Sequence, residues 1–391
     1  MRAIKLSFLW LGQFVAIALA AFFALGPSIV EQQQNTLTEH EPYEVSDEAQ
    51  ALHSQLIIAD WHADTMLWKR DFLKRSSRGH VDLPRMQEGN QAIQVFAAVT
   101  KTPAGLNYEE NSAEAFDNIT ALAVGQLWPI RTWGSLLERA IYQAEKLHRF
   151  AMKSDGQFRV ITSKSELEAA LEDRAGGANV TMGLLSVEGA HALEGDLANF
   201  ERIDSAGFRI IGLHHFFDNE LGSSLHGEGE VGLTDFGRQV VAEIERRGIV
   251  LDLAHSSPRV ANDVLQMTDM PVVVSHTGIF SHCQTKRNFP DQLMKEVAKS
   301  GGVVGIGFWA KVTCDDSPEG IAGAIRAAVD LLGEDHVSLG SDWDGTVQVA
   351  MDPSELSALT QALVEASFTD EQIGKIMGGN FLRVVRERLT H

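Results

Sequence analysis

Eight short apolar runs are spaced along this 391-residue chain, and their spacing restricts the folds open to it. They read QLIIA at 55–59, AIQVFAA at 92–98, TMGLLSV at 181–187, FRIIGL at 208–213, IVLDL at 249–253, PVVVS at 271–275, VVGIGF at 303–308 and HVSLG at 336–340. Apolar runs of this length, rich in β-branched residues, suit strands buried on both faces, as in a parallel sheet. Parallel neighbours need long crossovers, and helical patterns fall between most of the runs, such as TDFGRQVVAEIERR at 234–247 and GIAGAIRAAVDLL at 320–332. Eight such units predict an α/β fold of the (β/α)8 TIM-barrel type. Segment 101–177 is too long for one crossover and carries an amphipathic helical pattern near 133–152. It is expected as a long insertion after the second strand, at the barrel's rim. No Pro/Ser-rich linker interrupts the chain after residue 47, so 48–391 reads as one domain.

Ahead of that domain, residues 6–30 carry no charge, and 6–25 form a mostly apolar stretch of bilayer-spanning length. Arg2 and Lys5 precede it and acidic residues follow, a bias that leaves the rest of the chain outside the cytoplasm. We therefore expect a hydrophobic N-terminal helix, a signal anchor or signal peptide within 1–30, and a polar tether at 31–47. The body is expected on the periplasmic or cell-surface face, attached to the membrane or, after cleavage, secreted. Lys+Arg total 33 against Asp+Glu 53, a formal charge of −20 that argues against a nucleic-acid partner. Cys283 and Cys314 allow at most one disulfide, so stability must come from a large core.

The chemistry sits where the apolar runs end. The first leads into Asp60-Trp-His62-Ala-Asp64, the third into Glu188, the fourth into His214-His215, the fifth into His255, the sixth into His276, and the eighth into Asp342-Trp-Asp344. In a (β/α)8 barrel the carboxyl ends of all strands converge on one face, where active sites are found. So many imidazoles and carboxylates in one cup are costly to bury unless they are paired or bind metal. In an extended His62-x-Asp64 segment both side chains lie on one side and can grip one ion. Glu188 has two oxygens and can bridge to a second ion held by His255 and His276. This donor set suits zinc, with manganese, iron or cobalt as other occupants. Two such ions sharing a water favour hydrolysis. His215 and Asp342 are read as ligands or as groups that orient ligands, Asp344 as a structural residue of its turn, and His191 as a reserve ligand. His40, His53, His148, His226 and His391 are expected to be solvated.

These motifs resemble the membrane dipeptidase (renal dipeptidase) family of zinc metallopeptidases. The resemblance covers nearly the whole body. It runs through Asp60-Trp-His62-Ala-Asp64, His80-Val-Asp82-Leu-Pro84-Arg85, Glu188-Gly189, His215 with Asn219, and Gly232 to Gly237. It continues through Asp252-Leu-Ala-His255, His276, Arg287-Asn288-Phe-Pro290-Asp291, Gly340-Ser-Asp342-Trp-Asp344-Gly345 and Gly379-Asn380-Phe-Leu-Arg383. The resemblance implies a (β/α)8 barrel with two zinc ions, His62 and Asp64 on one, His255 and His276 on the other, bridged by Glu188 and a water or hydroxide. It further implies that His215 binds the substrate carbonyl and stabilises the oxyanion, that Arg287 pairs with the substrate's carboxylate, and that Asp342 moves the water's proton to the departing amine. The implied substrates are small dipeptides, with tolerance of a C-terminal D-residue, and the implied assembly is a homodimer.

Two departures bear on substrate choice. Trp61 and Ala63 stand where many family members carry Gly and Asn, so Trp61 is expected to reshape the cup or pack beneath it. The insertion at 101–177 resembles the family only weakly. Two other readings compete: a binuclear amidohydrolase acting on a lactam, amide or ester, and a non-catalytic anchored barrel. The first usually opens with His-x-His and bridges through a modified Lys or a carboxylate, whereas this chain has His-x-Asp and no suitably placed Lys. The second predicts loss of a ligand or of Asp342, and none is lost.

Overall fold

The computed structural model describes residues 2–390, with the backbone alone described at 2–9, 11, 12 and 14–19. Eight strands form the barrel: β1 (Ile58–Ala63), β2 (Gln91–Val99), β3 (Thr181–Glu188), β4 (Phe208–Gly212), β5 (Val250–Asp252), β6 (Val273–Thr277), β7 (Val303–Ile306) and β8 (Val337–Leu339). Each pairs in parallel with the next, and Leu339 of β8 pairs with Asp60 of β1, which closes the ring. All eight expected runs are strands. The first begins three residues later than its apolar run, because the helix Asp47–His53 ends in a turn at Ser54 that takes up the residues between.

One buried layer takes a side chain from the first half of seven strands: Ala59, Ile93, Met182, Ile210, Val250, Val273 and Val303. It packs with Phe381, Val384 and Val385 of the last helix, Asn380–Arg388. An apolar base at the amino ends of the strands leaves their carboxyl ends for polar groups. Trp61 belongs to this layer, its ring 4.1 Å from that of Phe381, so it packs beneath the cup.

The insertion holds three helices and a short strand. With the N-terminal helix, Arg2–Gln34, taken as α1, its first two helices are α2 (Asn118–Gly125) and α3 (Leu136–Lys153). The third helix is Lys164–Ala175, and Phe158–Val160 pairs beside the start of β3. Ser135 caps α3 by accepting from the Glu138 amide. Arg139 on α3, buried, donates to the Thr100 and Thr132 carbonyls at 2.6 and 2.8 Å, which fastens the insertion to the end of β2.

The stretch 31–47, expected as a tether, is laid down on the barrel. Buried Glu31 pairs with Arg70 and Arg78, each at 2.7 Å. Thr36–Leu37 forms a parallel pair with Gln348–Val349, and the Tyr43 hydroxyl donates to the Ala350 carbonyl at 2.8 Å. These partners are remote in sequence, and a buried carboxylate between two guanidiniums holds its place far better than a solvated one. Among the described residues no helix is long and apolar enough to cross a membrane. Most side chains of the 6–25 run, on which the anchor expectation falls, lie outside the described residues. Cys283 and Cys314 form the single disulfide and join the loop after β6 to the turn after β7.

Candidate metal centre and active site

The strand ends bring the expected residues into one buried cluster. His62 lies near the end of β1, Glu188 ends β3, and His276 lies within β6. His215, His255 and Asp342 each follow their strand by three residues. His255 and Asp342 hold φ of 62° and 61°, a left-handed conformation that non-glycine residues rarely adopt and that recurs at functional sites. Asp64 has left the strand, at φ −94° and ψ 25°, beyond a register shift between Asp60 and Ala63. The bend, rather than an extended His-x-Asp segment, is what brings its Oδ1 to 3.3 Å from His62 Nε2.

Glu188 stands at the centre. Its Oε1 is 3.5 Å from His62 Nε2, 3.2 Å from His255 Nε2 and 3.5 Å from His276 Nε2, and its Oε2 is 3.5 Å from His215 Nε2. Asp342 Oδ1 lies 3.9 Å from His62 Nε2. Four donors at about 2.0–2.1 Å around a tetrahedral ion are about 3.3 Å apart, so these separations match the edges of a zinc coordination shell. Among the described residues, three groups have donor atoms mutually within 4.8 Å: His62, Asp64 and Glu188; Glu188, His215 and His255; and His62, His276 and Asp342. The first is as expected. The other two exchange partners relative to the expected pairing of His255 with His276, whose ring nitrogens nonetheless lie 3.0 Å apart.

The electrostatics of this cluster also fit a cation. Burial pushes the Asp64 and Glu188 carboxyls well above the usual carboxylate range. It pushes His255 and His276 well below the usual imidazole range and His215 down to about 3. The Asp342 carboxyl is pushed up to about 8 by burial and by Asp64 and Asp60, against the pull of His62 and Arg287. His62 Nε2, Asp64 Oδ1 and Glu188 Oε2 are buried and make no hydrogen bond. Unpaired buried polar atoms that converge like this are costly, and metal coordination relieves the cost.

Around the cluster, hydrogen bonds set the orientation of the rings. Asp252 Oδ1 accepts from the Ala254 and Ser275 amides at 2.9 and 3.0 Å, and its Oδ2 accepts from the Ser275 hydroxyl at 2.5 Å. That hydroxyl lies 2.7 Å from His276 Nδ1. His215 Nδ1 meets the Lys101 carbonyl at 3.1 Å, so it carries the proton and turns a bare Nε2 toward Glu188. Asp60 accepts from the His62 amide, from Gln94 and from both the amide and the hydroxyl of Ser341, which ties the middle of β1 to the middle of β2 and to the segment that follows β8. Asp60, Asp252 and Ser275 carried no expected role, although Asp252 and Ser275 stand out as polar residues inside apolar runs.

Arg287 is fully buried, its Nη2 donating to the His276 carbonyl at 2.6 Å while its Nη1 has no partner. Asp344 is structural, as expected: it accepts from Thr65 Oγ1 at 2.7 Å and the His80 amide at 2.6 Å and pairs with Arg70. His191 belongs to none of these metal groups, and its Nε2 lies 2.9 Å from Thr100 Oγ1. His53 and His226, expected to be solvated, are buried. His53 bridges Thr360 and the Gly89 carbonyl. His226 meets the Tyr108 carbonyl at 2.7 Å and stacks on Phe216, which leads to the cluster. A cavity of about 410 Å³, lined by Asp64, Glu188, His255, His276, Arg287 and Asp342 among others, opens over the donors. That size is in the range of small-molecule sites.

Comparison with known proteins agrees with this geometry. Residues 46–390 match the family model for membrane dipeptidases, peptidase family M19. An uncharacterized dipeptidase of Schizosaccharomyces pombe is 28% identical over 324 residues, 78% of this chain and 71% of that protein. The dipeptidase tcpJ of Claviceps purpurea is 26% identical over 324 residues, 79% of this chain and 69% of that one. Among solved structures, a metallopeptidase from Rhodobacter sphaeroides, liganded with a phosphinate mimic of the dipeptide L-Ala-D-Ala, superposes with a TM-score of 0.70. It is 25% identical, and the match covers 85% of this chain and 99% of that one. A converging set of metal donors at the mouth of a closed parallel barrel, together with a family match over nearly all of the barrel, makes this chain a metallopeptidase of the membrane dipeptidase family.

Proposed function

We propose that the chain hydrolyses the peptide bond of dipeptides at a centre for two zinc ions, with His62 and Asp64 on one, His255 and His276 on the other, and Glu188 shared. The supporting observation is the Glu188 carboxylate, which lies within 3.5 Å of a nitrogen from each of four imidazoles on four different strand ends. Zinc bound there would supply a water acidified toward neutral pH and a Lewis acid for the scissile carbonyl.

The remaining steps belong to the protein. The free Nη1 of Arg287 binds the dipeptide's carboxylate, and a planar, charged donor fixes that end of the substrate. His215 faces the carbonyl. Its Nε2 donates to the oxyanion in the tautomer that carries the ring's single proton there, which gives up the bond from Nδ1 to the Lys101 carbonyl. An Asp342 carboxylate oxygen takes the proton of the attacking water and delivers it to the departing amine. Tolerance of a D-residue at the C-terminal position is part of the proposal, in keeping with the ligand of the Rhodobacter sphaeroides relative.

A location outside the cytoplasm is likewise proposed. The basic residues ahead of the apolar run support it, and so does the disulfide, a bond that persists in oxidising compartments. Membrane attachment through 6–25 and a homodimer complete the reading, to be checked by fractionation and by sizing of the full chain. The activity is tested with a panel of L-L and L-D dipeptides on the full chain, before and after chelation and with zinc restored. Hydrolysis that stops with chelator and returns with zinc is expected. Protein that binds metal yet cleaves no dipeptide would overturn the substrate class.

A further inference from the structure

A second cavity, of about 520 Å³, adjoins the one over the metal donors and shares seven lining residues with it, Gln34, Asp64, His215 and Phe216 among them. Its remaining walls are largely apolar. The barrel and insertion contribute Leu67, Trp68, Val99, Ile119 and Leu122, and the opposite wall is α1, through Phe22, Pro27 and Val30. Arg287, His255 and His276 do not line it, so it leaves the catalytic cup on the Asp64 side, away from the arginine.

The α1 wall is fixed in place. Glu31, one residue past Val30, is held between Arg70 and Arg78, and Asn35 Oδ1 accepts from the Thr346 amide at 2.8 Å. On the other side α2 comes up against α1 at Gly125, where an added Cβ would lie 3.9 Å from the Pro27 ring. Val30, which lies beyond the 6–25 run, is nonetheless 43% exposed. A helix anchored by buried ion pairs that leaves apolar side chains bordering an open, apolar chamber leaves that chamber free for a ligand. None of α1 falls within residues 46–390, so this wall is a property of the present chain beyond the matched family region.

We propose that this chamber receives the side chain of the substrate's amino-terminal residue, that it prefers a bulky aliphatic or aromatic one, and that α1 is thereby a specificity-determining element. The assignment rests on the dipeptidase reading. With the carboxylate on Arg287 and the scissile carbonyl at His215, the amino-terminal residue lies on the Asp64 side, where the chamber opens. Apolar pockets discriminate by about 10- to 200-fold for each methylene group gained or lost, so the effect is measurable.

The test uses the full chain and measures kcat/KM for Gly-Ala, Ala-Ala, Leu-Ala and Phe-Ala, with Ala-Leu and Ala-Phe as the reversed series. Two variants change the chamber in different ways: Val30→Asp puts a charge at its wall, and Leu122→Trp fills its volume. Melting curves establish that at least one variant is folded. The expected result is a Phe-Ala to Gly-Ala ratio of at least about tenfold in the wild type that falls about tenfold in either folded variant. A ratio near one in the wild type, a ratio unchanged in the folded variants, or a size preference carried by the reversed series would each overturn the assignment while leaving the dipeptidase reading intact. A wild-type protein inert toward every dipeptide would overturn the reading itself.

Discussion

Asp252→Asn exchanges one oxygen for an NH2 group, and the surrounding hydrogen bonds decide its effect on the metal centre. In the wild type both Asp252 oxygens accept: Oδ1 from two backbone amides, Oδ2 from the Ser275 hydroxyl. The hydroxyl proton is thus committed, and only its lone pair is left for His276 Nδ1 at 2.7 Å. Nδ1 therefore carries the ring proton and Nε2 is bare, the state a metal ligand needs. In the variant the two amides claim the remaining oxygen, so the NH2 group faces Ser275 and donates to it. The hydroxyl then turns its proton to His276 Nδ1, the ring proton moves to Nε2, and that donor is blocked. The flipped amide offers no escape, because it sets NH2 against two backbone N–H groups at about 1–3 kcal/mol each. Disrupting such an orienting shell costs about 10–100-fold in metal affinity or activity, about 1.4–2.8 kcal/mol. Zinc affinity by competition with a chromophoric chelator, with kcat/KM on a cleaved dipeptide, measures it. Ser275→Ala, which removes the relay without reversing it, is expected to lose less. An Asp252→Asn protein with zinc affinity and kcat/KM within about twofold of wild type would show that Asp252 does not set the His276 tautomer.

Three further outcomes are expected from the same geometry. Arg287→Lys replaces a planar donor by a point charge and should raise KM by about tenfold with a smaller change in kcat, a split that steady-state kinetics resolves. Cys283→Ser opens a loop of 31 residues and should cost about 3.7 kcal/mol by loop-closure entropy, read as a lower melting temperature. Activity at 25 °C should persist, because the Thr277 hydroxyl still holds the Arg287 carbonyl and the Asn288 side chain still bonds across to the Val312 carbonyl. Asp344→Asn leaves buried Arg70 without its second carboxylate and should destabilise the protein by about 3 kcal/mol, in denaturant titration, while the metal donors keep their places.

The parts legible in the sequence share a physical cause. A strand buried on both faces must be apolar throughout, so each of the eight runs stands out, and the first polar residue beyond each run marks the end where the site forms. That is why His62, Glu188, His215, His255, His276 and Asp342 could be read together. What escaped reading depends on partners far apart in sequence. Glu31 finds Arg70 and Arg78, and Thr36 finds Gln348, through contacts that leave no periodic signal, so a docked segment reads as a polar tether. His226 sits in a loop of Gly, Glu and Ser that looks solvated, yet the insertion folds over it and Tyr108 accepts its ring proton. Asp252 and Ser275 left a trace, a carboxylate and a hydroxyl inside otherwise apolar strands, and such residues must have a buried partner.

The proposed hydrolysis depends on a metal pair shared through Glu188. The most direct measurement is zinc per chain by elemental analysis of wild type and Glu188→Ala, reconstituted side by side, with dipeptide hydrolysis on the same samples. About two ions per wild-type chain are expected, and loss of both metal and activity in the variant. A Glu188→Ala protein that keeps full activity, or a fully active wild type with about one ion, would contradict it.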